Sequence, residues 1–557
     1  MRKRIRIEIL LGVAILVYLN ALSNGFTFDD FFYILNNQAV RSGSITGLFH
    51  PTAINNNFRP LSLATFALNW ALGHQQPLAY HLVNVLLHAV VTLLLYLVLI
   101  GLLEAVPEAE TIGFVAALFF AVHPLHTEAV TSIVGRSELL VAGFLLAAWL
   151  FHLQDRPVCS LICFVLALLS KESAAVFLLL VLAGDYARYK LKSFSRYAWI
   201  AGFTALYIAA LWRMQGGKFE KASYSFVDNP LASLPAIWRI LNALRVGWKY
   251  IGLQIYPGTL SYDYSYNAIL LYANWRHTLP AAIGAAVIVV LLLWCAWTKR
   301  REWMLAGAMY LGGFAVTSNI LVSTGTIMGE RLTYLPSAGF CLLVALILNR
   351  SGILRSTAGW TLVGVLLAAL GARTIVRNRD WRNNFTLFYS GVQAVPRSAR
   401  AHRNLADEYV KRGQLDDAVK EFQITLRIYP MYPEAVENYG LAEARIGNDL
   451  EAKKLLENAV SLSLDSSEHT VMEVNLALHL GKLGQYDDAL KLLDEVTLRS
   501  PGYPLAWTSR AFIRYRRGEV ALARSDAETA LRLDPSNSQA QELLKILNAP
   551  AGAKPAN

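Results

Sequence analysis

The chain has 557 residues, of which 55% are hydrophobic and only 16% charged, and its mean hydropathy of +0.37 excludes a single soluble globular domain. The net charge of +11 lies in residues 1–373, because residues 374–557 carry equal numbers of basic and acidic side chains. A basic excess on an apolar segment is typical of loops on the cytoplasmic side of a membrane, so no nucleic-acid partner is predicted.

The chain begins with a basic segment, residues 1–6, and an apolar run over residues 7–22. Signal peptides share this pattern, but no clean cleavage site follows and further apolar runs come later, so we predict an uncleaved first membrane span. Several of the eleven runs are shorter than the ~20 residues that a helix needs to cross a bilayer. The later runs lie near residues 80–103, 111–122, 138–153, 157–170, 174–187, 197–213, 278–298, 303–321, 336–349 and 357–373.

Eleven spans with a cytoplasmic N-terminus would place the basic segments 188–196, 299–301 and 350–355 in the cytoplasm, as the positive-inside rule prefers. We therefore predict a multi-pass protein of the cell (inner) membrane whose C-terminal region and active site are extracytoplasmic. Residues 230–256 are apolar and aromatic but interrupted by prolines and cations, which predicts interfacial or re-entrant helices. A single crossing there would instead move the C-terminal region into the cytoplasm.

From about residue 400 the pattern becomes a repeat with a 34-residue period. Small residues where two helices touch, glycine at a turn and proline between units are typical of the tetratricopeptide repeat, a helical hairpin that stacks into a solenoid. Four units fit, with about three extra residues around 465–470 and a closing helix near 539–547. The recurring positions are Asn404, Leu405, Ala406, Gly413, Ala418 and Pro430, then Asn438, Tyr439, Gly440, Gly447 and Ala452, then Asn475, Leu476, Ala477, Gly484, Ala489 and Pro501, and last Gly518, Ala523 and Pro535.

These patterns predict an all-α protein, a polytopic helical membrane domain followed by an α-solenoid. We assign residues 1–373 to the membrane domain, 374–399 to a linker, 400–547 to the repeats with their closing helix, and 548–557 to a disordered tail. Solenoids of this kind usually bind peptides or proteins, and the alternative for these repeats is a rigid spacer.

Many of the acidic side chains in residues 1–373 fall in or beside loops on the predicted outer side. Charges near hydrocarbon are costly and are usually paired or functional, so this grouping predicts one polar cavity at the outer surface, with chance grouping by loop placement as the alternative. The acids are Asp29, Asp30, Glu128, Glu138, Glu172, Glu220, Asp228, Asp263 and Glu330, and the accompanying polar residues are Arg59, His123, His126, Arg136, Lys171 and Arg331.

Asp29 and Asp30 follow the first predicted span and stand between phenylalanines in the segment GFTFDDFFYI, residues 25–34. An apolar surround should raise the pKa of a carboxylate and suit it to act as a general base on a hydroxyl group. A helix N-cap explains one aspartate more easily than two, so we favour a catalytic role for the pair.

Four cations, Arg59, Arg136, Lys171 and Arg331, each stand at the outer end of a predicted span. Arginine recognises phosphate at two points and lysine supplies a point charge, so the four together predict an anionic ligand. For any one of them alone, an aliphatic stem that reaches the interface is an equally good explanation.

His123, His126 and Glu128 form the pattern HxxHxE, which is not a recognised zinc signature, and the four cysteines lack metal-ligand spacing. Hydrogen-bonding histidines are the default interpretation, so no metal or other cofactor is predicted, and a divalent ion is the less favoured alternative. The sequence also lacks a P-loop, a GxSxG elbow and a dinucleotide fingerprint in a strand-to-helix context, so soluble nucleotide chemistry is not indicated.

Six features of the chain occur together: the acid pair, Arg59 with Pro60, HPLHTEAVTSIVGRSELL (123–140), SKES (170–173), GERLTYLPS (329–337) and the repeats. In combination they resemble the transmembrane and tetratricopeptide repeat-containing (TMTC) O-mannosyltransferase family. The resemblance covers nearly the whole chain, and HPxHTEAVxxxxGR is its most specific part. Four repeats are fewer than animal members usually carry, which indicates a bacterial relative, so the animal acceptor cannot be carried over.

Members of that family are similar to GT-C glycosyltransferases, which move a sugar from a polyprenyl phosphate to an acceptor hydroxyl outside the cytoplasm. The resemblance implies transfer of mannose or another hexose, with inversion, to a protein or peptide bound by the repeats, in a chain surrounded by membrane lipids. By correspondence with the GT-C first-loop motif, Asp29 would be the base and Asp30 would orient it or contact the sugar.

The resemblance also implies roles for the other polar residues. Arg136 and Arg331 would be the leading donor-phosphate ligands, with Arg59 and Lys171 behind them. The residues expected to line the sugar or acceptor pocket are His123, His126, Glu128, Glu172, Asp263 and Glu330.

Two other classes of protein compete with the enzyme. A non-enzymatic, membrane-anchored repeat scaffold for envelope assembly would need only one span, and a transporter would use the same charges as an ion path. Binding of a polyprenyl-phosphate sugar discriminates among the three.

Overall fold

The computed structural model of the protein describes residues 2–49, 58–214, 225–464 and 468–548. These residues form helices and turns, with no β-strand among them, which confirms the predicted all-α class. The chain divides into two compact units, Met1–Ala401 and His402–Asn557. Glu220, the start of the segment around Arg59, part of the 465–470 insertion and all of the predicted tail after residue 548 lie outside the described residues.

The first unit is built from helices that run to the end of the predicted linker. Each of the eleven apolar runs coincides with at least one of them. The helices are α1 (Lys3–Leu16), α2 (Gln38–Ser42), α3 (Ile45–Phe49), α4 (Pro60–Gly73), α5 (Pro77–Leu102), α6 (Ala109–Val122), α7 (Thr127–Val130), α8 (Arg136–Leu153), α9 (Pro157–Ser170), α10 (Phe177–Ala187), α11 (Phe194–Met214), α12 (Ala236–Ile255), α13 (Trp275–Trp297), α14 (Arg301–Gly313), α15 (Ser337–Arg350), α16 (Thr357–Asp380) and α17 (Asn384–Ala394).

Five stretches among the described residues are long and apolar enough to cross a membrane, and a sixth is obtained if α6 and the bent segment after it count as one span. The five are α1 with the turn that follows it, α5, α8, α13 and α16. Eleven spans are not shown, because α9, α10, α14 and α15 have only 11 to 14 residues. The several apolar helices nevertheless indicate a multi-pass membrane protein.

The helices of the first unit differ in how far they are enclosed. α5 and α8 bury more than half of their apolar stretch within the protein, whereas α13 buries 6% of its own. An apolar helix whose surface is almost wholly exposed suits contact with lipid tails, so α13 belongs to the outside of the bundle and α5 to its core. α12 lies where interfacial or re-entrant helices were predicted, and it begins directly after Pro235.

Two local features of the first unit are a bend after α6 and the continuation of helix into the predicted linker. The chain bends by 54° between α6 and the segment Pro124–Val130, where His123 is extended and Pro124 opens a short 3-10 turn. The predicted linker 374–399 is helical for most of its length, because α16 continues to Asp380 and α17 follows with an Asn383–Thr386 capping box.

The second unit is a succession of helical hairpins. In its described residues the first helix of each hairpin is followed by a glycine with positive φ, at Gly413, Gly447, Gly484 and Gly518. Glycine adopts this conformation without steric cost, so it closes the helix and turns the chain. The helices are α18 (Ala399–Lys411), α19 (Leu415–Ile428), α20 (Pro433–Ile446), α21 (Asp449–Leu462), α22 (His469–Lys482), α23 (Tyr486–Arg499), α24 (Pro504–Arg517), α25 (Val520–Leu533) and α26 (Ser538–Asn548).

Candidate active site

A cluster of two carboxylates and one guanidinium lies where the loop after α1, the short helix α7 and the 3-10 turn before α15 meet. Nη1 of Arg331 is 3.3 Å from Asp29 Oδ2 and 3.3 Å from Glu128 Oε1. The backbone N–H of Arg331 also donates to Glu128 Oε2 at 2.9 Å. The side chains of Asp29 and Arg331 are 23% and 31% exposed, whereas that of Glu128 is 3% exposed. We call these three residues the acid–arginine cluster, in which Asp29 and Arg331 are accessible from outside.

The two aspartates of the first loop have different surroundings. Asp30 is fully buried, and its carboxylate accepts the backbone N–H of Thr27 at 2.8 Å and that of Val134 at 3.0 Å. Burial raises the pKa of Asp30 to about 7, against the opposing effect of those two hydrogen bonds. Asp30 therefore joins the loop after α1 to the turn before α8, and its neighbour Asp29 is the aspartate that faces Arg331.

The motif HPxHTEAVxxxxGR covers a 3-10 turn, α7 and the tight turn that leads into α8. A Cβ on Gly135 would lie 2.4 Å from the carbonyl oxygen of Ala129, so only glycine fits there. The next residue, Arg136, has no exposed surface and donates to the side chains of Asn84 and Asn69 at 2.8 and 2.6 Å. It also donates to the backbone oxygens of Thr65 and Tyr80. This guanidinium is engaged with protein acceptors, so its geometry is that of a structural residue.

Arg59 and Lys171 are each paired with a carboxylate. Arg59 binds Glu172 at two points, at 3.0 and 2.6 Å, and Lys171 forms a buried ion pair with Glu138. Burial opposes ionisation of Glu172, but Arg59 and Lys171 outweigh it and lower the pKa of this carboxyl to about 2. A cleft of about 330 Å³, its open mouth included, borders Arg59. Its lining residues are Tyr33, Arg59, Ser62, Leu63, Phe66, Val134 and Ser137.

Glu330 and Asp263 lie in a second, buried polar group. Glu330 Oε1 accepts from the N–H of Ser261 at 2.6 Å and from the Tyr264 hydroxyl at 2.7 Å, and Oε2 lies 3.6 Å from Nη2 of Arg377. Burial raises the pKa of Glu330 to about 7, although Arg377 opposes the shift. Asp263 accepts from the hydroxyls of Ser265 and Ser398 at 2.7 Å each.

The two histidines of the motif are hydrogen-bonded within the protein. Nε2 of His123 contacts the carbonyl oxygen of Gln254 at 3.0 Å, and its Nδ1 accepts from the N–H of Leu125. His126 contacts the carbonyl oxygen of Phe120 and the hydroxyl of Ser337. Within the described ranges no group of three or more histidine, cysteine, aspartate or glutamate side chains is arranged to hold a metal ion.

The structure thus brings Asp29, Glu128 and Arg331 together and holds Arg136, Glu330 and both histidines in separate contacts. Residues that the sequence analysis did not single out complete the surroundings, chiefly Tyr264 and Arg377. Arg377 is fully buried in α16 and pairs with both Glu330 and Asp380, at 3.6 and 2.9 Å. The sequence analysis placed Arg377 in the predicted linker, beyond the run 357–373, and only the continuation of α16 to Asp380 shows that this arginine is a buried charge that requires a partner.

An exposed carboxylate beside a guanidinium can accept a proton from a hydroxyl while the cation attracts an anionic group. The fold and this cluster define a class of protein: an all-α, multi-pass membrane protein with an acid–arginine cluster and a C-terminal repeat region. The tetratricopeptide repeat family matches residues 393–463 and 474–538, which confirms the predicted repeats.

Over most of its length the chain is homologous to protein O-mannosyl-transferases of the TMTC family, which confirms the resemblance. It is 31% identical to F38B6.6 of Caenorhabditis elegans over 76% of this chain, and 29% identical to human TMTC1 over 78%. Mouse TMTC3 is 25% identical over 96% of this chain. The chain spans 63%, 56% and 64% of the lengths of these three relatives, respectively.

Proposed function

We propose that this protein is a membrane glycosyltransferase that moves mannose or another hexose from a polyprenyl-phosphate donor to a hydroxyl group on a protein. The observation that carries the proposal is the acid–arginine cluster, in a chain similar over 76% of its length to a protein O-mannosyl-transferase. A scaffold has no need of a partly exposed carboxylate held against a guanidinium.

In the proposed reaction Asp29 takes the proton of the acceptor hydroxyl. The hydroxyl oxygen attacks the anomeric carbon of the donor sugar, the bond from that carbon to the phosphate oxygen breaks, and the polyprenyl phosphate leaves with the bonding electrons. Attack opposite the leaving group inverts the anomeric configuration. Holding the two reactants in line and stabilising the departing phosphate would supply most of the rate enhancement.

Arg331 is the proposed ligand of the donor phosphate. It is accessible, lies 3.3 Å from Asp29, and would exchange part of its contact with the carboxylates for contact with phosphate oxygens. Arg59 is the proposed second cation, because it borders an open cleft and its partner Glu172 is partly exposed. Arg136 is not retained as a ligand, since its donors already have buried acceptors.

The apolar helices and the repeats have proposed roles in binding the donor lipid and the protein acceptor. A polyprenyl tail would lie against apolar helices and its phosphate at their ends, in a GT-C-like arrangement with the reaction on the extracytoplasmic side. The repeats are proposed to bind the protein acceptor, which raises its local concentration near the base. A chain ended at Ala401 tests this last point, since it should lose transfer to protein and keep donor binding.

The test is transfer by the purified, detergent-solubilised protein from polyprenyl-phosphate hexoses to peptides, with mass analysis of both products. Asp29→Asn should lower transfer at least ~100-fold, the usual scale for loss of a general base, and leave the unfolding temperature within a few degrees of the wild-type value. Glu8→Gln is a matched control, because Glu8 is an exposed carboxylate paired with Arg4. Retention of more than half the activity by the Asp29 variant would remove Asp29 from the mechanism.

A further inference from the structure

The residue before the proposed base has an unusual backbone conformation. Phe28 has φ +46°, in the left-handed region that bulky side chains rarely adopt. A residue in such a conformation raises the free energy of the fold and persists only where its surroundings hold it. Because Phe28 and Asp29 are adjacent, whatever holds Phe28 also sets the direction of the Asp29 carboxylate.

The contacts that hold Phe28 come from a distant part of the chain. Its N–H donates to the side-chain oxygen of Asn384 at 2.8 Å, at the start of α17. Its ring packs edge-on against Tyr262 and Phe388, with centroids 5.3 and 6.0 Å apart. The guanidinium of Arg400 lies over the same ring, 5.4 Å from its centroid.

The segment just before Phe28 is attached to the same region. The N–H of Gly25 donates to the carbonyl oxygen of Arg382 at 3.0 Å, and the side-chain amide of Asn24 donates to the backbone carbonyl oxygen of Asn378 at 2.9 Å. Residues 24–28 are therefore bound by residues 378–400, all but the last of which fall in the predicted linker 374–399. A linker that makes directional contacts with an active-site loop acts as part of the site.

We propose that residues 378–400 are a positioning element for Asp29, in which Asn384 and Phe388 hold Phe28 so that the neighbouring carboxylate faces Arg331. The inference rests on the proposed function, since the direction of Asp29 matters to turnover only if Asp29 takes the acceptor proton. None of these side chains contacts the reacting atoms, so they act through Phe28 and Asp29 and are positioning residues.

The first variant is Asn384→Ala, which leaves the N–H of Phe28 without its acceptor. We expect kcat to fall at least tenfold while the KM for a polyprenyl-phosphate hexose stays within twofold, because Arg331 is held separately by Glu128. Asn384→Asp keeps a side-chain oxygen at the same place and should restore kcat to within threefold of the wild-type value. Should Asn384→Ala fail to fold, Phe388→Leu carries the same expectation.

Asn383→Ala is the matched control. Asn383 caps α17 by accepting the N–H of Thr386 at 3.0 Å and makes no hydrogen bond to Phe28. Its loss should lower the unfolding temperature and leave kcat within twofold, because it weakens the helix end without releasing the loop. An equal fall of kcat in the Asn383 and Asn384 variants would overturn the inference, since both would then act through the stability of α17.

A double-mutant cycle with Asp29→Asn separates positioning from a general loss of structure. When the base is absent its direction no longer matters, so Asn384→Ala should lower the residual rate by less than twofold. The same fall in both backgrounds would overturn the inference. Unchanged kcat in Asn384→Ala beside an inactive Asp29→Asn protein would overturn this inference alone, whereas a fully active Asp29→Asn protein would overturn the proposed base and the inference with it.

Discussion

Arg136 and Arg331 are two arginines in similar sequence positions with different surroundings. Arg136 is fully buried and donates to two asparagine side chains and two backbone oxygens, whereas Arg331 is partly exposed and faces two carboxylates. Removal of the buried cation leaves several acceptors unpaired, whereas removal of the partly exposed side chain opens space for water beside the carboxylates, and Glu128 keeps the backbone N–H of residue 331. The two alanine variants should therefore fail in different ways.

We expect Arg136→Ala to lower the free energy of unfolding by at least ~3 kcal/mol, because Asn84 and Asn69 lose their donor and a cavity remains. Arg331→Ala should unfold near the wild-type temperature and bind a polyprenyl-phosphate hexose about 10- to 100-fold more weakly, the scale of one charge-assisted contact. Thermal unfolding and donor titration in detergent measure both. A well-folded Arg136→Ala protein with weakened donor binding would instead make Arg136 a phosphate ligand.

Glu330 and Glu172 should make opposite contributions to stability as the pH changes. The pKa of Glu330 is raised from 4.5 to about 7, so its contribution is present below pH 4.5 and is lost as the pH rises through 7. The pKa of Glu172 is lowered to about 2, so its contribution is present above pH 4.5 and is lost as the pH falls toward 2. Glu330→Gln should flatten the change in unfolding temperature between pH 4.5 and 7. Glu172→Gln should flatten the change in unfolding temperature below pH 4.5. If Glu330→Gln instead flattened the change below pH 4.5 and Glu172→Gln the change between pH 4.5 and 7, both pKa shifts would be contradicted.

At the scale of single elements, α15 depends on a close approach to α14. A Cβ on Gly339 would lie 2.4 Å from the carbonyl oxygen of Ala306 and 2.5 Å from the backbone nitrogen of Tyr310. These are backbone atoms that cannot rotate away, so a methyl group would push the two helices apart. α15 begins shortly after the turn that carries Arg331, so the spacing of the two helices also bears on the acid–arginine cluster.

We expect Gly339→Ala to lower the free energy of unfolding by about 1–3 kcal/mol, the usual cost of overpacking. Gly364 in α16 is the matched control, because a Cβ there would meet nothing within 4 Å. Gly364→Ala should leave the free energy of unfolding unchanged or raise it by up to ~1 kcal/mol, since alanine favours helix. Thermal unfolding in detergent measures both, and equal effects of the two alanines would contradict the close packing of α14 and α15.

The elements were largely predictable, because apolar runs and a 34-residue period are local patterns. Each run coincides with helix, and the repeats follow the predicted glycines. The number of spans was not predictable in the same way, since short apolar helices such as α9 can cross, re-enter or pack inside a bundle. α17 lies in the predicted linker and was not predicted, because its helix signal is a capping box, which is weaker than an apolar run.

In the candidate site, too, residues in local motifs were predictable and contacts between distant parts of the chain were not. Asp29, Glu128 and Arg331 stand in motifs that could be read from the chain, and the structure places Nη1 of Arg331 at 3.3 Å from a carboxylate oxygen of each acid. Asn384 lies more than 350 residues from Phe28, and nothing in its local pattern indicates that contact. Contacts between distant polar residues depend on tertiary packing, so sequence alone could not assign them.

At the scale of the whole molecule, the side of the membrane occupied by the repeats depends on whether the number of crossings is odd or even. The eleven predicted spans and the five long apolar helices are both odd numbers, and with a cytoplasmic N-terminus each puts the C-terminal region outside. Counting the bent segment after α6 as a sixth span, or a single crossing by α12, changes the parity. Labelling of introduced cysteines distinguishes these arrangements directly.

We predict that Phe32→Cys and Leu498→Cys react with an impermeant thiol reagent added to intact spheroplasts, and that Leu191→Cys reacts only after lysis. The three wild-type side chains are 56%, 86% and 67% exposed, so each introduced thiol should be accessible on its own side. Phe32 follows the proposed base, Leu498 lies in the repeats and Leu191 lies in the basic segment 188–196. Labelling of the Leu498 variant only after lysis would put the repeats in the cytoplasm, require an even number of crossings, and break the proposed link between the repeats and the protein acceptor. The experiment starts from a protein whose own cysteines are replaced, at Cys159, Cys163, Cys295 and Cys341.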